Sequence, residues 1–159
     1  MSNKSSGLLA IVRIRGFAGQ PKDILYGLKL LNLNKPNHAC VVPNDATHQG
    51  MLQKLKDTIT WGEIDKPTLT ALIEKRGRLQ GNKKIDTQFL KSQKFESKTV
   101  FITALLEGKA DMRRIEGLKP IFRLHPPRKG FKSVKKPVGT GGDLGYRGEK
   151  INALLESMM

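Results

Sequence analysis

Leu8 to Arg15 reads LLAIVRIR, and the period of this octapeptide decides the fold. A strand turns successive side chains to opposite faces. Leu8, Ala10, Val12 and Ile14 therefore share one face, and Leu9, Ile11, Arg13 and Arg15 share the other. The second face changes from apolar to cationic toward its end, which brings that end to the surface. Gly16 and Gly19 then break the strand, and Pro21 suits the first turn of a helix, where a missing N–H costs nothing. Ile24, Leu25, Leu28 and Leu31 follow at helical spacing, and the polar run Asn32 to Pro36 stops them. His38 to Val42, HACVV, reads as a second strand closed by Pro43. Asn44 or Asp45 can cap the next helix, with Met51, Leu52, Leu55 and Ile59 as its apolar stripe. The first sixty residues thus read strand, helix, strand, helix.

The pattern changes at Lys66. Pro67 opens a helix with Leu69, Leu72 and Ile73 inward, stopped near Gly77. A basic loop, RGRLQGNKK, leads to a short helix around Thr87 to Ser92. Another helix runs from about Ser97 to Gly108, burying Val100, Phe101, Ala104 and Leu105. A last strand spans Pro120 to His125, with Phe122 and Leu124 on one face. After a long loop rich in Gly, Pro and Lys, Ile151, Leu154, Leu155 and Met158 mark a terminal helix. Four regions are expected: an α/β core over 1–65, a helical insertion over 66–117, a last core strand with a basic loop over 118–130, and a basic Gly-rich loop with a helix over 131–159.

Charge narrows the function. The chain holds 29 Lys and Arg against 14 Asp and Glu over 159 residues, a net of +15. That excess suits a polyanionic partner, nucleic acid first. Between Glu116 and Asp143 there are cations at 119, 123, 128, 129, 132, 135 and 136 and no acid at all. Other groups lie around the exit of the first strand (Arg13, Arg15, Lys22), in the insertion (Lys75, Arg76, Arg78, Lys83, Lys84) and at Arg113 and Arg114. Patches on several elements suit a partner that wraps the protein, and Phe17, Phe131 and Tyr146 stand where they could stack on bases. No apolar run approaches the roughly 20 residues that span a bilayer. The amino-terminal MSNKSSG has no secretory apolar segment, so a cytosolic protein is expected.

Chemical motifs fail on their spacing. GTGGDLG (Gly139 to Gly145) matches neither glycine-rich phosphate loop, and reads as a flexible turn. GFAG (Gly16 to Gly19) joins a strand to a helix, whereas the KH loop joins two helices. His38, His48 and His125 are scattered, and the single Cys40 sits in an apolar strand, so neither a metal site nor a thiol nucleophile is expected. No cofactor is called for. A free-standing or regulatory RNA-binding protein would carry the same charge; an RNA-modifying enzyme would need a catalytic constellation that these residues do not assemble.

LLAIVRIRG, PKDILYGLKLLNL, NDATHQGMLQKLKD, TWGEIDKPTLTALIEKRGR, IFRLHPPRKGF and GGDLGYRGEKINALLESMM, in this order, resemble a universal large-subunit ribosomal protein family, called L-thirty in bacteria and archaea and L-seven in eukaryotes. The resemblance covers nearly the whole chain. Its insertion and tail look like the archaeal and eukaryotic form, and the long basic amino-terminal arm of the eukaryotic form is missing, so an archaeal type is expected. The resemblance implies an α+β fold, ferredoxin-like in part. Its β-α-β-α-β core would hold a three-stranded antiparallel sheet, first strand central, with two helices on one face, the residues from Ile121 to His125 as third strand, a helical insertion and a basic C-terminal extension. It also implies a non-catalytic protein of the cytoplasmic ribosome that binds 23S-type ribosomal RNA near 5S RNA, beside neighbouring large-subunit proteins. Carried onto matching positions, the RNA contacts would be Arg13, Arg15, Lys75, Arg76, Arg78, Arg123, Arg128, Lys129 and Arg147. To these the family pattern adds Phe17, Lys22, Lys83, Lys84, His125, Lys132, Lys135 and Lys136.

Overall fold

The computed structural model describes residues 7–159; the reading of the amino-terminal MSNKSS lies outside them. Strand β1 (Leu8–Arg13) is buried along its whole length. It pairs antiparallel with β2 (His38–Pro43) on one side and with β3 (Ile59–Glu63) on the other, so that Ile11 faces both Cys40 and Trp61. β4 (Ile121–Arg123) adds antiparallel to β2, and β5 (Gly145–Tyr146) runs parallel to β3. The sheet order is β4-β2-β1-β3-β5.

Both faces of this sheet are covered. Leu9 and Ile11, with Cys40, Val42, Ile59 and Trp61, pack under α1 (Lys22–Leu30) and α2 (Ala46–Leu55) through Leu28, Leu52 and Leu55. Leu8, Ala10, Val12, Ala39, Val41 and Phe122 pack on the other side. There they meet α3 (Lys66–Arg76), α5 (Lys98–Leu106) and α6 (Ile151–Met158), while α4 (Thr87–Ser92) supplies Leu90. Full burial of each such Leu, Ile or Phe side chain stabilises by about 1.5–3 kcal/mol. The apolar stripe read for α6 is buried at all four positions, Ile151, Leu154, Leu155 and Met158.

Short polar side chains set where the helices begin. Asp45 accepts from the His48 N–H at 2.7 Å, Asp65 from Thr68 at 2.8 Å and Asp86 from Phe89 at 2.7 Å. Ser97 does the same for Val100 at 3.3 Å. Each cap contributes about 1 kcal/mol by satisfying an N–H that the helix leaves open. Three of the scarce carboxylates are thereby directed at backbone, away from lysine.

Four details differ from the expected layout. The third core strand is Ile59–Glu63, beside β1; Ile121–Arg123 is instead the outer strand beyond β2. Ile59 lies outside the expected helical stripe, because α2 ends at Leu55, where Thr58 turns the chain by donating both its N–H and its hydroxyl to the Leu55 carbonyl, at 2.9 and 2.8 Å. A five-residue strand directly after a helix offers too little alternation to separate from it. The second face of the sheet, for which no cover was foreseen, is closed by the insertion and the terminal helix. In α5 the inward residues are Phe101, Ile102 and Leu105, whereas Val100 is exposed and Ala104 half-buried.

Gly62 on β3 lies against the backbone of Gly148: a Cβ there would sit 1.9 Å from the Gly148 carbonyl oxygen. Gly62→Ala should therefore destabilise by about 2–3 kcal/mol, read by urea unfolding. Gly50→Ala is the counter-test, because Gly50 lies within exposed α2 with open space around it. It should stabilise by about 0.5–1 kcal/mol.

Candidate nucleic-acid interface

The topology gathers distant cations at one end of the sheet. β1 and β4 run in the same direction on either side of antiparallel β2, so their carboxyl ends meet the amino end of β2. His38 is paired with Arg123 in register, Asn37 donates its N–H to the Arg13 carbonyl at 2.8 Å, and Leu124 donates to the Asn37 carbonyl at 3.1 Å. Arg15, Phe17, Arg123 and His125, more than a hundred residues apart in sequence, thus come to the same end. Phe17 is 73% exposed; Arg123 and His125 are exposed and Arg15 half-buried. Burial holds the His38 imidazole below its ordinary pKa, and the charges of Arg123, Lys35 and Arg13 add to the shift. Burial first and these positive charges second disfavour the protonated form of His38.

Two arginines expected as contacts are turned inward. Arg13 is only 2% exposed, and its guanidinium donates to the Arg15 carbonyl at 2.9 Å and the Leu33 carbonyl at 2.6 Å. Desolvation lowers its pKa. The alternation that places Arg13 beside Leu9 and Ile11 puts it under α1 rather than in solvent. Arg147 donates to the Thr60 hydroxyl at 2.8 Å and to the carbonyl and carboxylate of Asp143 at 2.8 and 3.2 Å. It thereby ties the segment around β5 to β3. Burial lowers its pKa, and Asp143 opposes that. Arg76 and Arg78 are half-committed: Arg76 donates to the Met159 carbonyl at 2.7 Å, and Arg78 to the Gly77 carbonyl at 2.8 Å.

The rest face solvent. Lys22 opens α1, Lys75 closes α3, and Lys83 and Lys84 stand on the turn that follows, with Lys84 bridged to Arg78. Arg128, Lys129, Lys132, Lys135 and Lys136 are all exposed. Their loop is tied down at both ends. His125 donates its N–H to the Met158 carbonyl and Arg128 to that of Ser157, at 3.1 and 3.3 Å. Farther on, Asp143 exchanges hydrogen bonds with Ser133, donating at 3.0 Å and accepting at 3.2 Å, and donates to the Lys136 carbonyl at 3.1 Å. The GTGGDLG run is not a loose turn: a Cβ on Gly142 would lie 1.8 Å from the Lys136 carbonyl oxygen. The loop is thus a frame of backbone hydrogen bonds that presents lysines outward.

Among the aromatic candidates, Phe131 is half-buried against the core, and Tyr146 is 55% exposed. Tyr26, on the outer face of α1, is 64% exposed and was missed. Its absence from the Leu25–Leu28–Leu31 spacing was the available signal.

Internal carboxylates leave this surface unneutralised. Among the described residues, the Lys and Arg side chains in ion pairs are Lys109 with Glu107 at 2.6 Å, Arg114 with Asp111 at 3.8 Å, and Arg147 with Asp143 at 3.2 Å. None of the seven cations between Glu116 and Asp143 is among them. Cys40 is buried, which pushes its thiol up to about 12, so it stays protonated and inert at neutral pH. No group of three or more His, Cys, Asp or Glu among the described residues could hold a metal ion, and no helix there is long and apolar enough to cross a membrane.

Known proteins are similar to this chain in sequence. Residues 9–59, from β1 to the start of β3, match the family described as Ribosomal protein L30p/L7e. Over 96% of its length the chain is 49% identical to the large ribosomal subunit protein uL30 of Staphylothermus marinus, covering 98% of that protein. It is 43% identical to the uL30 of Methanosphaera stadtmanae, over 96% of this chain and all of the relative. The uL30 of Archaeoglobus fulgidus is also 43% identical, over 95% and 99%. All three relatives are archaeal. Identity at this level, sustained over nearly the whole of both chains, places the chain in the uL30 family of ribosomal proteins.

Proposed function

We propose that this protein is a non-catalytic, structural constituent of the large subunit of the cytoplasmic ribosome, which binds and stabilises 23S-type ribosomal RNA in the region of 5S RNA. The observation that carries the reading is the row of exposed cations from Arg123 to Lys136 with no carboxylate partner, in a chain whose relatives bear the name of a large-subunit protein. Like charges held together by a folded loop repel unless something opposite completes them, and RNA phosphates are the fitting complement. The residues up to 65 would act as the rigid core, the insertion 66–117 as its buttress, and 118–159 as the presenting segment. We assign phosphate contacts to the exposed members of the set (Lys22, Lys75, Lys83, Lys84, Arg123, His125 and the loop lysines with Arg128), and stacking to Phe17. Arg15, Arg76 and Arg78 lie at the margin. Arg13 and Arg147 hold the scaffold instead.

Affinity would then come largely from released counterions. For duplex DNA, six to ten phosphate contacts lose roughly 10³–10⁵ in affinity between about 50 and 200 mM salt. Purified protein should bind 23S-type RNA with a steep dependence of this kind; affinity that stays level across that range would refute the charge argument. Footprinting on naked 23S-type and 5S RNA tests the location. Protection confined to regions remote from 5S would remove that part of the reading. A free-standing regulatory protein would leave the large subunit in high-salt sucrose gradients, whereas a structural constituent stays with it.

Two sets of variants separate presentation from scaffold. Alanine at Arg128, Lys129, Lys132, Lys135 and Lys136 together should flatten the salt dependence by about one slope unit per lost contact. Its unfolding free energy should stay within about 0.5 kcal/mol per site of the parent. Collapse of that variant's fold would show the segment to be structural. Arg147→Met should do the reverse, destabilising by about 3–5 kcal/mol because it strands the buried Asp143 carboxylate, while leaving the salt dependence unchanged.

A further inference from the structure

Among the described residues, no Lys or Arg lines one groove of this strongly basic molecule. It lies between the first turns of α2 and the β3–β5 edge, has a volume of about 500 Å³, and is lined chiefly by Asn44, Gln49, Gln53, Trp61, Glu63 and Tyr146. In a chain with 29 Lys and Arg, a lining whose described residues include neither disfavours phosphate. A nucleic-acid backbone seated here would meet the Glu63 carboxylate with nothing to offset it. What the walls offer is an aromatic face, amide oxygens and one carboxylate.

The aromatic face is held in place. Tyr146 is 55% exposed, yet its hydroxyl donates to Glu63 Oε1 at 2.6 Å, and its ring stands 6.2 Å from the ring of Trp61, tilted by 50°. That bond also pushes the Tyr146 hydroxyl up to about 12, so it remains a donor at any physiological pH. Gln49 and Gln53 are exposed on α2 one helical turn apart, at i and i+4, on the same wall. Beyond Glu63 the surface continues into a second hollow, lined by Asp65, Glu149 and Glu156 and, among the described residues, by no Lys or Arg.

We infer that this groove receives an arginine-bearing extended segment of another protein, its guanidinium stacked on Tyr146 and paired with Glu63. The inference rests on the reading of this chain as part of a protein–RNA assembly, in which basic protein segments are the complementary neighbours. A guanidinium is planar, weakly hydrated and a fivefold donor, which fits an aromatic plane flanked by amide oxygens and a carboxylate better than an ammonium or a phosphate does. The molecule is thereby two-sided: cationic loops toward RNA, and an aromatic, acid-edged groove toward protein.

Trp61 is the only tryptophan of the chain and lines the groove, so its emission reports the site directly. The probe is a capped peptide of alternating glycine and arginine, titrated into the full-length protein at physiological salt, with an oligouridylate of equal length alongside. A saturable change in Trp61 emission with the peptide, and none with the oligouridylate, is the expected result. Glu63→Gln should weaken it about tenfold, as loss of one charge-assisted pair does. Gln53→Lys, an exposed substitution on α2 that leaves the core untouched, should abolish it, and Lys22→Ala should leave it unchanged. An unresponsive Trp61, an unaltered affinity in Glu63→Gln, or a larger response to the oligouridylate would each overturn the inference; the last would make RNA the occupant. A change in emission with protein concentration alone would make the occupant a second copy of the chain and would overturn it equally. Salt-dependent binding of 23S-type RNA, measured on the parent protein, separates the two readings. Its retention where the peptide leaves Trp61 unresponsive sinks only the groove, and its loss where the peptide response persists sinks only the RNA function.

Discussion

Burial of β1 on both faces is the constraint from which the rest of the structure follows. Leu9 and Ile11 need a cover that α1 and α2 supply from nearby sequence. Leu8, Ala10 and Val12 need another, and it comes from α3, α5 and α6, some 60 to 150 residues away. A strand apolar on both sides cannot stand at a solvent-facing sheet, so the insertion and the tail are recruited into the core as its second layer. The basic loop between β4 and α6 is held at its two ends because those two elements are packed there.

The same packing sorts the cations into two populations. Arg13 and Arg147 are caught in the interior by neighbours that must be buried: Arg13 donates from Nε and Nη1 to carbonyls and leaves its buried Nη2 unbonded, and Arg147 donates to a hydroxyl, a carbonyl and one carboxylate. A guanidinium with no partners there would cost several kcal/mol, so these contacts offset burial rather than add stability. The outward population has no such partners. Its carboxylate complement is diverted: Asp45, Asp65 and Asp86 cap helices, and Glu63 engages Tyr146. Self-repulsion of the outward cations disfavours the isolated protein, and an opposing polyanion relieves it. The acidic residues that do reach the surface together are set on the β3–α6 side.

What could be read from residues alone depended on periodicity. β1, α3 and α6 were legible because each repeats its apolar positions within one element. The caps at Asp45 and the break at Gly77 were legible because they are local chemistry. β3 was not: five residues hold too few alternations, and the stripe of the preceding helix absorbed Ile59. The charged residues were legible as a set and illegible one by one. Arg13 and Arg15 look alike in LLAIVRIR, yet one is sealed beneath α1 and the other borders solvent.

The sequence by itself therefore determined the α+β class, the cationic character and the family. These depend on composition, on short-range periodicity and on ordered motifs, all of which survive without coordinates. Only the tertiary structure decided which cations are scaffold and which are surface. It alone also joined Arg15 to Arg123 at one sheet end and left a cation-free groove between α2 and β5. Those outcomes depend on which strands pair and which faces are covered, and that is settled by long-range packing that no local window of residues contains.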